Sequence, residues 1–444
     1  MTLLLASVAL AADPLAVEAT THVLPNGLRV VLSEDHATDT IALHIHYGVG
    51  GRDERPGEYG CAHLFEHLMF EGSANVPNNA FDEWLTSAGG DNNAFTSEDE
   101  TAYHMTFPSG ALDLALMLES DRMGFLDAGL DQANLENQQK VVLQERAEGF
   151  GEPHGRDWDA LQIVGWPADH GYQHSVIGTI ADVEGFQLEG VVDFWRRHYK
   201  PRNAVLTLVG NFETAEALER VQHWFGDVPD TGPPEPRAPA ALPEPPVAHH
   251  RVQDDVEDRT LIVMYPGVHD GHEDVPALEL LGPFLSGGRG TRLDDALYYD
   301  RSVLTTVGAW SSVSEIGGHF LLYLQTDDLT LPKVLKKVDK ELKKVTKAPP
   351  TEAELERAKR GYRADLLDSI EGLESRAEVL TDCLRLRGEA SCLPAEMAQV
   401  EAVTVADLER VMAQYLNPTK RATLSIVPRE DDGAIEGAND VEIP

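Results

Sequence analysis

Two histidines and a glutamate stand close together at His63, Glu66 and His67, within the run G-C-A-H-L-F-E-H-L-M-F-E-G at 60–72. On a helix, residues four apart share one face, so His63 and His67 can aim two imidazoles at a single metal ion. Two neutral imidazoles, a third protein ligand from elsewhere and one open coordination position make a catalytic zinc site. Glu66 reaches the edge of that site, where a carboxylate can serve as general base toward water. The order H-x-x-E-H is the inverse of the commoner H-E-x-x-H. Three fixed positions in five also arise by chance on an amphipathic helix, so the motif needs support from the rest of the chain.

The elements that must hold these residues follow from periodicity. Residues 28–32 and 41–49 are predicted as strands, the first entered through the turn pair Asn26-Gly27. His44 and His46 share a face of the second strand, as a solvated or inter-sheet pair rather than a metal pair. A glycine-rich, charged loop at 48–60 leads into the motif helix, on which Cys61 points away from the metal face. Helices are predicted at 78–88, 112–125, 135–148 and 188–198. Strand-like alternation surrounds the Ser-Glu-Asp-Glu turn at 97–100, and 204–210 reads as a buried strand.

The segment 228–247 holds eight prolines. Such composition makes an extended, semi-rigid linker. It divides an N-terminal domain at 13–228 from a C-terminal domain at 249–444, with 229–248 between them. The second half repeats the first in outline. Its strands are predicted at 259–265, near Thr306 and at 319–325, with a helix and glycine turn at 276–290 and helices at 334–345 and 352–370. Both halves end in a helix, a proline and a strand: Pro201 before 204–209, and Pro418 before 422–427. Two α+β domains of similar design are therefore expected.

The chain has 444 residues, 36 Lys+Arg against 75 Asp+Glu and a net charge of −39. Nucleic acid is excluded as a partner, because its phosphates would be repelled. The excess acid is either a solvated surface or the wall of a chamber that draws in basic peptides. No apolar run approaches the ~20 residues of a membrane-spanning helix. Residues 1–12, with Leu3 to Ala11 apolar and Ala9-Leu10-Ala11 in small-x-small form, have the form of an export signal lacking its positive start. A periplasmic or secreted location is expected, with the cytoplasm as the alternative. Cys383 and Cys392, nine apart, could close a small loop in an oxidising compartment. Seven lysines lie at 333–347 around an apolar stripe of Leu335, Val338, Leu342 and Val345. That pattern predicts a surface helix with a solvated face, docking to an acidic partner being the alternative.

Several stretches together resemble the pitrilysin family of inverse-motif zinc peptidases, which includes insulin-degrading enzyme and the mitochondrial processing peptidase. They are N-G-L-R-V-V-L at 26–32, G-G-R-D-E-R-P-G at 50–57, A-H-L-F-E-H-L-M-F-E-G at 62–72, A-G-G-D-N-N-A-F-T at 88–96 and V-V-L-Q-E-R at 141–146. The resemblance implies two homologous α/β sandwich domains forming half of a clamshell. It implies one zinc per chain, held by His63, His67 and Glu145, with Glu66 as the catalytic base. Glu148, one turn along, competes with Glu145 for the third ligand. The family's supporting glutamate, one heptad before the third ligand, is Gln138 here. Asn93, Ala94 and Phe95 take the place of the strand that binds extended, unfolded or short peptides edge-on.

Active members also carry an arginine and a tyrosine seven apart in the second domain, which hold the substrate carbonyl and the oxyanion. Here those positions are Tyr298 and Thr305, with Arg301 off register. The resemblance thus implies a zinc endopeptidase subunit completed by a homologous partner in a heterodimer, with a homodimer as the alternative. A non-catalytic structural, assembly or peptide-binding subunit is the competing reading.

Overall fold

A computed structural model of the chain describes residues 13–234, 237, 248–299, 303–431 and 433–443. The expected export signal at 1–12, most of the proline-rich linker and Arg301 lie outside the described residues.

The first half contains strands β1 (Thr20–Val23), β2 (Arg29–Glu34), β3 (Thr40–Tyr47), β4 (Asp91–Thr96), β5 (Thr101–Pro108) and β6 (Ala204–Gly210). They form one sheet in the order β1-β2-β6-β3-β5-β4. Its helices are α1 (Cys61–Leu68), α2 (Ala80–Ser87), α3 (Leu112–Phe125), α4 (Gln132–Gly151), α5 (Asp157–Gly165), α6 (Ile180–Gly185), α7 (Leu188–His198) and α8 (Thr214–Phe225). The second half contains β7 (His249–Asp254), β8 (Arg259–Pro266), β9 (Thr306–Ser314), β10 (Gly317–Thr326), β11 (Ala422–Pro428) and β12 (Asn439–Asp440), ordered β12-β7-β11-β8-β10-β9. Its helices are α9 (Val275–Leu285), α10 (Leu331–Val345), α11 (Glu352–Ser369), α12 (Leu373–Asp382), α13 (Leu393–Ala402) and α14 (Val405–Tyr415).

Five strands of each sheet repeat the other's order, and the sixth differs: β1 lies antiparallel to β2, whereas β12 lies parallel to β7. β6 runs parallel to β2 and antiparallel to β3, as β11 runs parallel to β7 and antiparallel to β8. The repeat read from the matching ends of the halves is therefore a repeat of topology. Each sheet has an outer helical layer. In the first, Leu43, Ile45, Tyr47, Met105 and Leu206 alternate onto the face covered by α1, α3 and α7. In the second, Leu261, Val263, Phe320 and Leu322 face α9, α10 and α14.

The opposite faces meet helices of the other half. Ala377, Leu380 and Leu384, in and just after α12, pack on Val31, Ala42, Val205 and Val209 of the first sheet. Reciprocally, Ala160, Leu161 and Val164 of α5 pack on Ile262, Met264 and Leu424 of the second. Leu15, fully buried, also belongs to the second core. A boundary drawn at 228 thus assigns α5 and the first described residues to a domain whose core they do not join.

A buried ion network closes the seam between the halves. Arg52 pairs with Asp99 at 2.8 Å and with Glu315, while Arg385 pairs with Glu315, Asp382 and Glu100. Tyr172 donates its hydroxyl to Asp99 and accepts from the Ile316 amide.

His44 and His46 are buried beneath α12, where the Thr381 hydroxyl lies 3.3 Å from His44 Nδ1. His319, also buried, bonds the Gly165 carbonyl beneath α5 at 2.9 Å. Burial, more than the nearby His170, pushes His319 down to about 4. The unfolded chain therefore binds a proton that the fold refuses, so this term is fully favourable above pH ~6.5 and is lost as pH falls toward ~4. Stability of the wild type should fall relative to His319→Gln by up to about 1.4 kcal/mol per pH unit across that window. Urea unfolding of both proteins at several pH values measures the difference in slope, and equal slopes would remove His319 as the titrating group.

Candidate active site

Helix α1 begins at Gly60, whose φ of 95° lies in the left-handed region. A Cβ there would come within 2.7 Å of the Ile177 carbonyl oxygen and 2.8 Å of Gly178 Cα, so only glycine fits. The Glu54 carboxylate, buried, accepts from the amides of Gly60 at 2.9 Å and Ala62 at 2.7 Å. It satisfies amides that the first helical turn leaves open and places negative charge at the helix N-terminus. Burial pushes the Glu54 carboxyl well above its usual range, against those two amides.

One face of α1 is apolar. Cys61, Ala62, Leu64, Phe65 and Leu68 are buried, and Tyr103 donates to the Phe65 carbonyl. The opposite face carries His63, Glu66 and His67, all half-buried. Cys61 thus packs away from the histidines, as its position two before His63 predicts.

Helix α4 brings the third group. Its N-cap Asp131 accepts from the amides of Ala133 and Asn134, and Arg146 bonds the Gly178 carbonyl at 3.2 Å while lying over Phe150. These contacts set the helix so that Glu145 faces the histidines. Glu145 Oε2 lies 3.2 Å from His67 Nε2 and 3.9 Å from His63 Nε2. One ligand atom from each of the three lies within 4.8 Å of the other two. Corners of a tetrahedron with metal–ligand bonds of ~2.0–2.2 Å are about 3.3–3.6 Å apart, so the donor set fits three corners of a zinc site. Burial, then His67, lowers the His63 pKa to about 4, which keeps that imidazole neutral for a metal. Glu148 points elsewhere and accepts from Gln144 at 2.8 Å, so convergence favours Glu145 over its competitor.

Glu66 is not one of the three. Its Oε2 accepts from the Thr96 hydroxyl at 2.7 Å, which aims the carboxylate across the site from β4. Burial raises its pKa, Thr96 and His67 oppose that, and Glu145 adds to it. Sequence reasoning missed Thr96. Its position at the end of N-A-F-T carries the signal only once β4 is known to lie beside α1.

β4 is the outer strand of its sheet, paired on one side with β5 through Asn93 opposite His104, Ala94 opposite Tyr103 and Phe95 opposite Ala102. The Ala94 amide bonds the side-chain oxygen of Asn93 at 2.9 Å, so Asn93 occupies a donor that an added strand would use. A cavity of about 440 Å³ lies between this edge and the two helices, lined among others by Glu66, His67, Phe70, Asn93, Ala94 and Glu145. On its wall Glu71 accepts from Asn134 at 2.7 Å and from Gln138. A carboxylate is thus present beside Gln138, on α1's trailing turn rather than on α4. Tyr298 and Thr305 line a separate cavity of about 650 Å³ in the second half.

Two family models match the chain: "Insulinase (Peptidase family M16)" over residues 29–157 and "Peptidase M16 inactive domain" over 185–362. The chain belongs to the M16, pitrilysin-like, peptidase family. Its M16 relatives include "Zinc protease PqqE" of Helicobacter pylori, 27% identical over 424 residues, covering 91% of this chain and 92% of that protein. An uncharacterised zinc protease of Bacillus subtilis, YmxG, is 25% identical over 389 residues, covering 87% and 92%. A crystal structure described as a protease from Helicobacter pylori superposes with a TM-score of 0.85 at 25% identity, covering 93% of this chain and all of that one. An M16 inactive domain from Pseudomonas fluorescens shares the fold, with a TM-score of 0.80 at 21% identity over 96% of this chain and all of that one. The insulinase model covers H-x-x-E-H and Glu145, and the one described as inactive runs from the end of the first half into the second, over residues without the motif.

Proposed function

We propose that this chain is a zinc endopeptidase subunit that cleaves extended, unstructured peptides. The observation that carries the reading is the convergence of His63, His67 and Glu145 beside a carboxylate that binds none of them. A zinc ion there supplies Lewis acidity, lowering the pKa of water and polarising a carbonyl. Glu66 takes a proton from the attacking water and returns it to the leaving amine. The outer edge of β4 pairs with the peptide backbone once the Asn93 side chain releases the Ala94 amide, so that affinity comes from main-chain bonds and demands little of side chains. Folded proteins are excluded by that requirement for an extended strand.

The chain is half of a clamshell closed by a homologous partner that brings the arginine and tyrosine replaced here at 298 and 305. Export is supported by the disulfide between Cys383 and Cys392, a bond typical of oxidising compartments. The non-catalytic alternative draws on the match of residues 185–362 to a model described as inactive.

Metal analysis of purified variants tests the reading. A single zinc per chain is expected, lost in His67→Ala and in Glu145→Gln and kept in Glu148→Gln. A wild-type chain that takes up no zinc would favour the non-catalytic alternative.

A further inference from the structure

We propose that the outward face of α10 is a docking surface for an anionic phospholipid bilayer. The inference stands independently of the peptidase reading. Seven of the chain's eleven lysines fall in this helix and the turn after it, at 333, 336, 337, 340, 343, 344 and 347. At 100° per residue they fall within an arc of roughly 120°. The stripe runs along the surface for about 21 Å.

The helix is held rigidly. Leu331, Val334, Val338, Leu342 and Val345 are buried in the second core, on the opposite side of the sheet from α5 and the seam. Six of the lysines are exposed and Lys337 is half-buried. Lys344 donates to Glu341 at 2.7 Å. Among the described residues the other six side chains have no ion pair or hydrogen bond. The helix's two acids do not interrupt the stripe, because Asp339 is tied to Arg421 at 3.0 Å and Glu341 is buried.

Composition identifies the partner. Arginine outnumbers lysine in the chain as a whole, yet the stripe holds no arginine. Protein interfaces and nucleic-acid sites favour arginine, whose planar fork makes bidentate bonds, and protein interfaces are depleted in lysine. A row of flexible point charges suits instead a planar, smeared negative charge, as a lysine-rich amphipathic helix does at anionic lipid. No aromatic side chain stands among the lysines to insert into the acyl layer, so attachment is electrostatic and reversed by salt. Without these seven lysines the net charge would be −46 rather than −39, so the rest of the surface is repelled by the same bilayer. Contact through this face alone fixes the orientation of the bound protein.

Co-sedimentation of the full chain with vesicles tests the proposal, using phosphatidylcholine alone and phosphatidylcholine with phosphatidylglycerol. The wild type should bind the phosphatidylglycerol vesicles at least roughly tenfold more strongly at low salt and be released at high salt. A variant with Lys336, Lys340, Lys343 and Lys347 each changed to glutamine should lose that preference. Glutamine matches lysine in helix propensity and these positions are exposed, so its thermal midpoint should equal that of the wild type. Equal binding to both vesicles, or undiminished binding by the variant, would overturn the proposal. Salt-sensitive self-association without lipid binding, lost in the variant, would also overturn it and assign the stripe to a second copy.

Discussion

Replacing Glu66 by glutamine should leave zinc bound and lower peptide hydrolysis by roughly 10²–10⁴-fold. The two effects separate because Glu66 lies outside the converging set of His63, His67 and Glu145. Its carboxylate is held by the Thr96 hydroxyl at 2.7 Å, and a glutamine oxygen can accept the same bond. The substitution therefore removes a proton acceptor while the shape of the site persists. Zinc content and turnover of an unstructured peptide should be measured on the same preparation. Near-normal turnover with zinc in place would move the base to another residue.

On the proposed reading, a partner that supplies oxyanion donors should raise kcat by roughly 10²–10³-fold. The tetrahedral intermediate of peptide hydrolysis develops negative charge on the former carbonyl oxygen, and donors aimed at that position are worth most in a closed, water-poor site. On that reading the positions that would carry those donors hold Tyr298 and Thr305, which line a cavity distinct from the one lined by Glu66, His67 and Glu145. The purified chain should consequently cleave poorly by itself. A homologous chain that lacks H-x-x-E-H and carries the arginine and tyrosine should restore activity when mixed with it, with the gain in kcat rather than in KM. Full activity of this chain unaccompanied would refute the partner and direct attention to Tyr298 and Tyr299 as substitutes.

Much of this was legible in the residues, for identifiable reasons. Helices α3 and α7 and strand β6 stand at the residues predicted, because each has one continuous apolar pattern and a clear stop. The motif face of α1 follows from spacing alone, since one helical turn brings His63 and His67 together wherever the helix lies. The choice between Glu145 and Glu148 is different. Both are exposed residues of α4 one turn apart, and only the placing of α4 against α1 separates them. Thr96 and Glu71 are further cases of residues whose partners lie on other elements. Helices α5 and α12 are not among the predicted elements, and their apolar residues serve the sheet of the opposite half, a pairing that no local pattern encodes.

That reciprocal crossing of α5 and α12 is the geometry of a swapped dimer whose two protomers have been joined end to end. In a two-fold pair of single domains, one helix of each would lie on the sheet of the other by the same contact used twice. Fusion turns that bimolecular association into an intramolecular one, governed by an effective concentration rather than by dilution. The joining segment then acts as a tether, and the helices carry the specificity of the join. Cutting the chain within the tether should leave two fragments that stay together and co-purify, since each would still own a helix lodged in its neighbour.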